Sequence, residues 1–392
     1  MRSDIYLILI LATILVTSPF LAKILRVPTS VVEILIGSVL GTFSIIQKHE
    51  YFDIIAEVGF LYLMFLAGME VHLDNIINAP KPLLKRSFLY IFIIGLLAVI
   101  AGFLLKLNFI FIISIPLISL GLVATLAKIY DKKSKWLQIA FIVGIIGEIA
   151  SIITITILDV ATKVGFKLEL LKELGILIGF ITFIYILYKL LDLLFWWYPE
   201  LKEKLMPRFD SSEQDIRLSM ALFFIFIVLM IWLHLELALG AFIAGVAISA
   251  FFHHKKDLEE KMSSFGFGFL VPLFFIHVGT TLDLTSLKLN GVLSNAIILV
   301  VLSITIKVIS AFILKPYVST RESILVGLSL SMPLTLLVAL ATIGYNIKIL
   351  TLLNYYSLIL ASILEIVVAM ILIGLIAKKD RVFDGKKYSK KS

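Results

Sequence analysis

The sequence predicts an all-α integral membrane protein of about 13 transmembrane helices, in two inverted six-helix repeats joined by a linker helix, with crossed broken helices at spans five and twelve. Three observations predict this. Of 392 residues, 60% are hydrophobic and 16% charged, with a mean hydropathy of +1.08, far outside soluble composition. Apolar windows long enough to cross a bilayer recur along the chain, and two proline–glutamate spacings repeat in its two halves.

A helix crossing about 30 Å of hydrocarbon needs roughly 20 mostly apolar residues. Sliding that window gives spans at 5–22, 28–46, 54–71, 83–105, 109–127, 136–158 and 171–197, then 216–234, 237–252, 265–281, 292–314, 324–343 and 354–377. Very short polar breaks at 106–108 and 234–236 separate neighbouring spans. The first span follows a single Arg and no small-residue cleavage site, so it reads as retained rather than as a removed signal peptide.

Basic residues test the count independently, because a wrong number of spans scrambles their alternation between loops. With the N-terminus outside, 26 of the 35 fall inside and eight outside, and Lys307 lies within a span. The orientation is therefore N-out and C-in. The organisation expected is one transmembrane domain over 1–377, with repeat one at about 1–160, the linker span at 171–197 and repeat two at 216–377. The tail, 378–392, ends in Lys386, Lys387, Lys390 and Lys391 and reads as a topology anchor on anionic lipid. The net charge of +8 lies between apolar runs, which argues against nucleic acid as a partner, and with no Cys there is no disulfide or thiolate chemistry.

An odd span count fits two halves of opposite orientation, the architecture in which transporters hold a site at the repeat interface. Pro116 precedes Glu148 by 32 residues, as Pro333 precedes Glu365, so the halves share an offset of 217. Fainter echoes pair residues 65–68 with 276–279, and Gly37 and Gly41 with the Gly240–Gly245 region. Proline within a span removes a backbone donor, and the freed groups must be satisfied inside the protein. Spans five and twelve are thus expected to be broken and to meet internally. Ser114, Ser119 and Thr125 surround one break and Ser329, Ser331 and Thr335 the other, and half-helix ends with hydroxyls bind small ions. Simple kinks, with the hydroxyls bonded back to their own helix, are the plainer alternative.

Glu148 lies twelve residues after Trp136 and ten before Leu158, roughly 15 Å from either surface. A mid-membrane carboxylate costs about 2.5–3.5 kcal/mol on insertion scales and asks for a reason. Competition of a proton and a monovalent cation for it is exchange; a protonated structural Glu is the alternative. For Lys307, two readings are open: a stem that carries its ammonium to the interface, or a counter-charge for Glu148. Glu365 lies at the same depth and is either a second member of the site or a structural copy. Ser119, Thr125, Ser151, Thr335 and Glu365 are the further candidate cation ligands. Glu33, Glu57, Glu70 and Asp159 lie towards span ends and read as structural, and neither His277 nor His253 and His254 has metal-ligand spacing. No P-loop, GxSxG or HExxH pattern is present, so the chain reads as no enzyme and calls for no cofactor and no metal beyond a transported cation.

The run PTSVVEILIGSVLG from Pro28 to Gly41 resembles the P-x-V-x-G-E-I-L-x-G-x-x-L-G pattern of the monovalent cation:proton antiporters, with Val32 in place of a glycine. FLAGME at 65–70, LGAFIAGVAIS at 239–249 and PLFFIHVGTTLDL at 272–284 are similar to further fingerprints of that family, in its branch of bacterial Na+/H+ exchangers and Kef-type potassium efflux antiporters. The resemblance implies a transport carboxylate in span six, as the second residue of an Asp-Asp, Asn-Asp or Gln-Asp pair. Gly147-Glu148 stands there and departs from the pattern at both positions. It also implies that Lys307 pairs with the carboxylates. The Gly-Glu expected near the span-twelve break is replaced by Ser331-Met332-Pro333-Leu334-Thr335. A homodimer in the plasma (bacterial inner) membrane, with a mobile bundle rocking against a dimerisation bundle, is implied in the same way.

The function expected is exchange of Na+ or K+ for H+ by alternating access, with Na+, K+, Li+, H+ and membrane lipids as partners. Both stoichiometries are open: release of protons from Glu148 and Lys307 together is electrogenic, whereas release from Glu148 alone is electroneutral. A cation-coupled symporter of a small organic anion and a non-transporting ion or pH sensor are the competing readings.

Overall fold

The computed structural model describes residues 2–25, 28–46, 49–70, 79–123, 134–164, 213–233, 237–252, 256–281 and 291–377, with scattered positions between them. These residues form α1 (Arg2–Leu25), α2 (Thr29–Thr42), α3 (Glu50–Met69), α4 (Lys81–Leu105), α5 (Phe109–Ser114), α6 (Lys135–Val164) and α7 (Gln214–Leu233). There follow α8 (Leu237–Phe252), α9 (Lys256–Phe265), α10 (Val271–Thr281), α11 (Val292–Ala311), α12 (Thr320–Ser329), α13 (Leu334–Asn346) and α14 (Leu352–Ile376). Among the described residues there is no strand, and eight helices are long and apolar enough to cross a membrane, or up to nine with the bent pair α12–α13. Span seven lies largely outside the described residues, as do Thr125, His253, His254, Asp283 and the basic tail.

Helix ends differ from hydropathy windows because a window finds the apolar stretch and not the caps. Span ten, expected at 265–281, begins at Lys256: α9 runs through a single π-helical turn, Gly266–Leu270, into α10. Span six extends from Lys135 to Val164. Of the two breaks, the first spans residues 115–120 around Pro116, and the second spans 330–333, where α12 and α13 bend by 42° at Pro333.

The chain divides into two compact units, 1–78 with 152–285 and 79–151 with 286–392. In the first, α2 packs on α10 and α3 on α8. Both pairs touch backbone to backbone at glycines. Gly37 faces the Ile276 carbonyl and Gly279, and Gly68 faces the Phe242 carbonyl, with Gly245 against Phe65 and Met69. Spans two and three correspond to spans nine and ten in the repeat, so span two on span ten is the symmetry mate of span nine on span three. The glycines thus serve close helix approach. Glu33 of α2 is buried and accepts from Ser18 of α1 at 3.1 Å, and Asp53 of α3 meets His277 of α10 at 2.9 Å.

In the second unit, α11 packs against α4, α12 and α14, and α13 touches both α14 and α5. Repeat symmetry is visible in a single contact. Tyr90 and Lys307 are 217 apart, the repeat offset, and the Tyr90 hydroxyl donates to the Lys307 carbonyl at 3.3 Å. Ends of these helices are closed by side chains. Asn108 caps α5 by accepting from Ile110 N, Ser319 and Glu322 form a capping box on α12, and Arg321 donates to the last-turn carbonyl of Ile376 at 2.7 Å.

Candidate functional site

The first break and the middle of α6 build the site. After α5 the chain loses helical pairing at Ile115 and runs without regular hydrogen bonds to Leu120. Pro116 has no N–H to offer, and α6 supplies the partners that the opened backbone lacks. Ser151 accepts from the Ile118 amide at 2.9 Å while donating to the Gly147 carbonyl at 2.7 Å. One turn away, Glu148 accepts from the Leu120 amide at 3.0 Å and from the Ser119 hydroxyl at 3.3 Å. Glu148 is fully buried (0% exposed), so these two dipoles are its solvation. A charged carboxylate in such a place is compensated by hydrogen bonds, by a proton or by a cation.

Gly147 stands where the resemblance expects a second polar side chain, and the structure supplies a steric reason. A Cβ there meets Ile118, 2.6 Å from its Cδ1 and 3.0 Å from its Cβ, so the break itself fills the space. Gly144, one turn earlier, touches both breaks: a Cβ on it lies 2.6 Å from Leu120 and 3.2 Å from Leu330. The two broken spans therefore meet against α6, as the prolines predict.

Lys307 and Glu365 are both buried, 0% and 2% exposed, on helices that pack together, whereas the partners of Glu148 among the described residues are Ser119 and Leu120 and not Lys307. Nor does Lys307 snorkel, since its ammonium is enclosed. Ser303, one turn before Lys307 on α11, adds its hydroxyl to the neighbourhood of Glu365. Nζ of Lys307, Oε2 of Glu365 and Oγ of Ser303 nevertheless have no partner at hydrogen-bond distance among the described residues. Thr335, in the first turn of α13, is also buried, and its hydroxyl has no partner among the described residues.

Of the sequence candidates, Glu148, Ser119 and Ser151 are thus brought together at the first break. Lys307 and Glu365 lie on α11 and α14, which pack together, and Thr335 lies at the second break. The Leu120 amide is the participant that no side-chain pattern reveals. Tyr90 and Ser303 were also unmarked, although the offset of 217 that relates Tyr90 to Lys307 was readable in the sequence.

Fold and site define a multi-pass membrane protein of the inverted-repeat class, with a buried carboxylate laid against a broken helix. The family described as sodium/hydrogen exchanger, transmembrane, matches residues 8–379, and the chain belongs to it. A Bacillus subtilis protein, provisionally named the Na(+)/H(+) antiporter YjbQ, is 27% identical over 93% of this chain, which spans 61% of that protein's length. A Methanocaldococcus jannaschii protein, likewise provisionally named Na(+)/H(+) antiporter 3, is 26% identical over 80% of each chain. Among solved structures, the sodium proton antiporter MjNhaP1 from Methanocaldococcus jannaschii superposes with a TM-score of 0.68 at 18% identity, covering 96% of this chain and 99% of that one. That likeness is one of fold.

Proposed function

We propose that this protein is a secondary active transporter that exchanges a monovalent cation for H+ by alternating access, with proton and cation competing for Glu148. One observation carries the reading: a fully buried mid-span carboxylate whose partners among the described residues are a hydroxyl and a backbone amide at a broken helix. Two neutral dipoles leave a full negative charge, and in a low-dielectric site that charge is met either by a proton or by a cation, not by both. Ser119, which donates to the carboxylate, keeps its lone pairs for a cation. Thr335 is the further oxygen at the second break, and Ser151 holds the break open by bridging it to α6. The relatives named as Na+/H+ antiporters favour Na+ over K+ or Li+ as the cation.

The transport unit is a single membrane domain, working as a homodimer in the bacterial inner membrane with its N-terminus outside and C-terminus inside. The asymmetry of the basic loops supports that orientation, and membrane-impermeant labelling of cysteines placed at either end tests it.

The deciding experiment follows internal pH in sealed proteoliposomes on addition of Na+, K+ or Li+, beside Glu148→Gln. Cation-dependent proton efflux in the wild type and its loss in a Glu148→Gln protein that still inserts is the expected result. Wild-type rates in Glu148→Gln would falsify the mechanism. No response to any cation would transfer the reading to a symporter or a sensor.

A further inference from the structure

We propose that the groove between the α4–α5 turn and the first turns of α11 and α14 is a binding site for one anionic phospholipid, with the phosphate on Lys106 and the acyl chains along α11. The inference goes beyond the exchange reading and does not depend on it.

The groove has a volume of about 740 Å³ and is lined wholly by residues of the second unit. Its polar residues all lie at helix ends. Lys106 and Asn108 belong to the α4–α5 turn, Asn295 to the first turn of α11 and Asn354 to the first turn of α14. Further along α11 the lining is apolar: Ile297, Ile298 and Val301 are 47%, 42% and 57% exposed. From Asn295 to Leu302 is about 10 Å along the helix axis. A polar rim with an apolar floor of that depth matches a headgroup and the upper part of its acyl chains.

Water alone can solvate exposed amides, so the rim does not by itself name the occupant. Charge does. No Asp or Glu lines the groove. The segments 103–110, 286–294 and 344–355, which flank this end of the second unit's helices, carry Lys106, Lys288 and Lys348 and no acidic residue. A zwitterionic headgroup therefore finds a cation for its phosphate and no carboxylate for its amine, whereas an anionic one leaves no charge unmet. Donors are available as well. Asn108 accepts from the Ile110 amide through Oδ1, which leaves its NH2 group facing no acceptor among the described residues. The side chains of Lys106, Asn295 and Asn354 have no hydrogen-bond or ion-pair partner among the described residues.

The backbone adds a second observation. Lys106 closes α4 in the left-handed region, at φ 51° and ψ 43°, and the Leu107 amide returns to the Gly102 carbonyl at 2.9 Å. Glycine adopts that conformation at lower cost, so a lysine is held where its backbone is less stable and its charge lines the groove. Lys348, just after α13, is also exposed and left-handed, at φ 61°, but does not line the groove. It is a built-in control for charge and backbone together. On the orientation proposed above, the site faces the outer leaflet.

The test uses the full chain, delipidated in detergent, with Tm and native mass spectrometry as readouts and no flux. Phosphatidylglycerol is expected to raise the Tm saturably and to remain bound as a single adduct, and phosphatidylethanolamine with the same acyl chains to do so far less. Lys106→Gly is expected to raise the half-saturating phosphatidylglycerol concentration roughly tenfold, the loss of one hydrogen bond between charged groups. Its Tm without lipid holds or rises, because the strained residue is gone. Lys348→Gly responds to phosphatidylglycerol as the wild type does. An unchanged response in Lys106→Gly overturns the proposal, as does an equal loss in Lys348→Gly, which makes the attraction diffuse. Equal stabilisation by phosphatidylethanolamine reduces the site to an apolar groove, and stabilisation by inorganic phosphate alone makes it a site for a free anion; either result overturns it.

Discussion

Ser119→Ala isolates the hydroxyl at the proposed ion site. Its Oγ stands 3.3 Å from Glu148 Oε1, longer than the usual range for an O–H···O bond, so the contact belongs at the lower end of the values for hydrogen bonds to charged groups. That end is about 1.5 kcal/mol, or roughly tenfold in an equilibrium. The loss falls on the carboxylate form, the one that binds a cation, since the protonated form needs the donor far less. Ser119 lies in the irregular segment after Pro116, so no helix hydrogen bond depends on its side chain. Removing one oxygen leaves the break in place, held by Ser151 and the Leu120 amide.

The expected outcome is a KM for Na+ raised about tenfold at fixed pH, with kcat altered much less, because the interaction removed belongs to the bound ground state. Sodium titration of proton efflux from proteoliposomes measures both. Ser119→Thr, which retains a hydroxyl, is expected to return KM towards the wild type. A KM within about twofold of wild type in Ser119→Ala, a difference worth only about 0.4 kcal/mol, refutes the assignment of this hydroxyl to the cation state. So does a collapse of kcat with KM unchanged, which places the hydroxyl in transit rather than in binding.

The other predictions are structural. Ser151→Ala leaves the Ile118 amide buried without a partner and is expected to cost about 1–3 kcal/mol, read as a lowered Tm in detergent, with Ser151→Thr largely neutral. Gly245→Ala drives a methyl into the Phe65 carbonyl and to 2.8 Å from Met69 N, so loss of monodisperse protein on gel filtration is expected, whereas Gly95→Ala, with open space around it, holds or raises the Tm. Gly147→Ala pushes on Ile118 and through it on the whole first break, and lowers Tm and flux together. Ile118→Ala added to Gly147→Ala removes the colliding atoms, so the double variant is expected to be more stable than the two single losses predict, and strict additivity tells against the contact.

Sequence reading reached depth along the membrane normal and stopped at direction around the helix axis. Spans were visible because some 20 apolar residues in a row have few other uses, and the breaks because Pro116 and Pro333 each remove a backbone donor where none is spare. Depth likewise marked Glu148 and Glu365 as mid-membrane groups, and left Lys307 open between a stem reaching the interface and a buried counter-charge. Which carboxylate receives the lysine is a question of azimuth, where a step of one residue turns a side chain by about 100°. The resemblance to the antiporter family supplied a lysine–carboxylate pairing from chains with an Asp-Asp, Asn-Asp or Gln-Asp pair in span six and a Gly-Glu near the second break, neither of which this chain has. Nor can side-chain patterns show that Leu120 contributes a backbone amide, because the availability of that amide depends on how far the helix unravels after Pro116. The repeat offset held more of the answer than any motif. It set Tyr90 against Lys307, Ser119 against Leu336 and Leu120 against Leu337, and those three unequal pairs already imply that two symmetry-related glutamates cannot be satisfied in the same way.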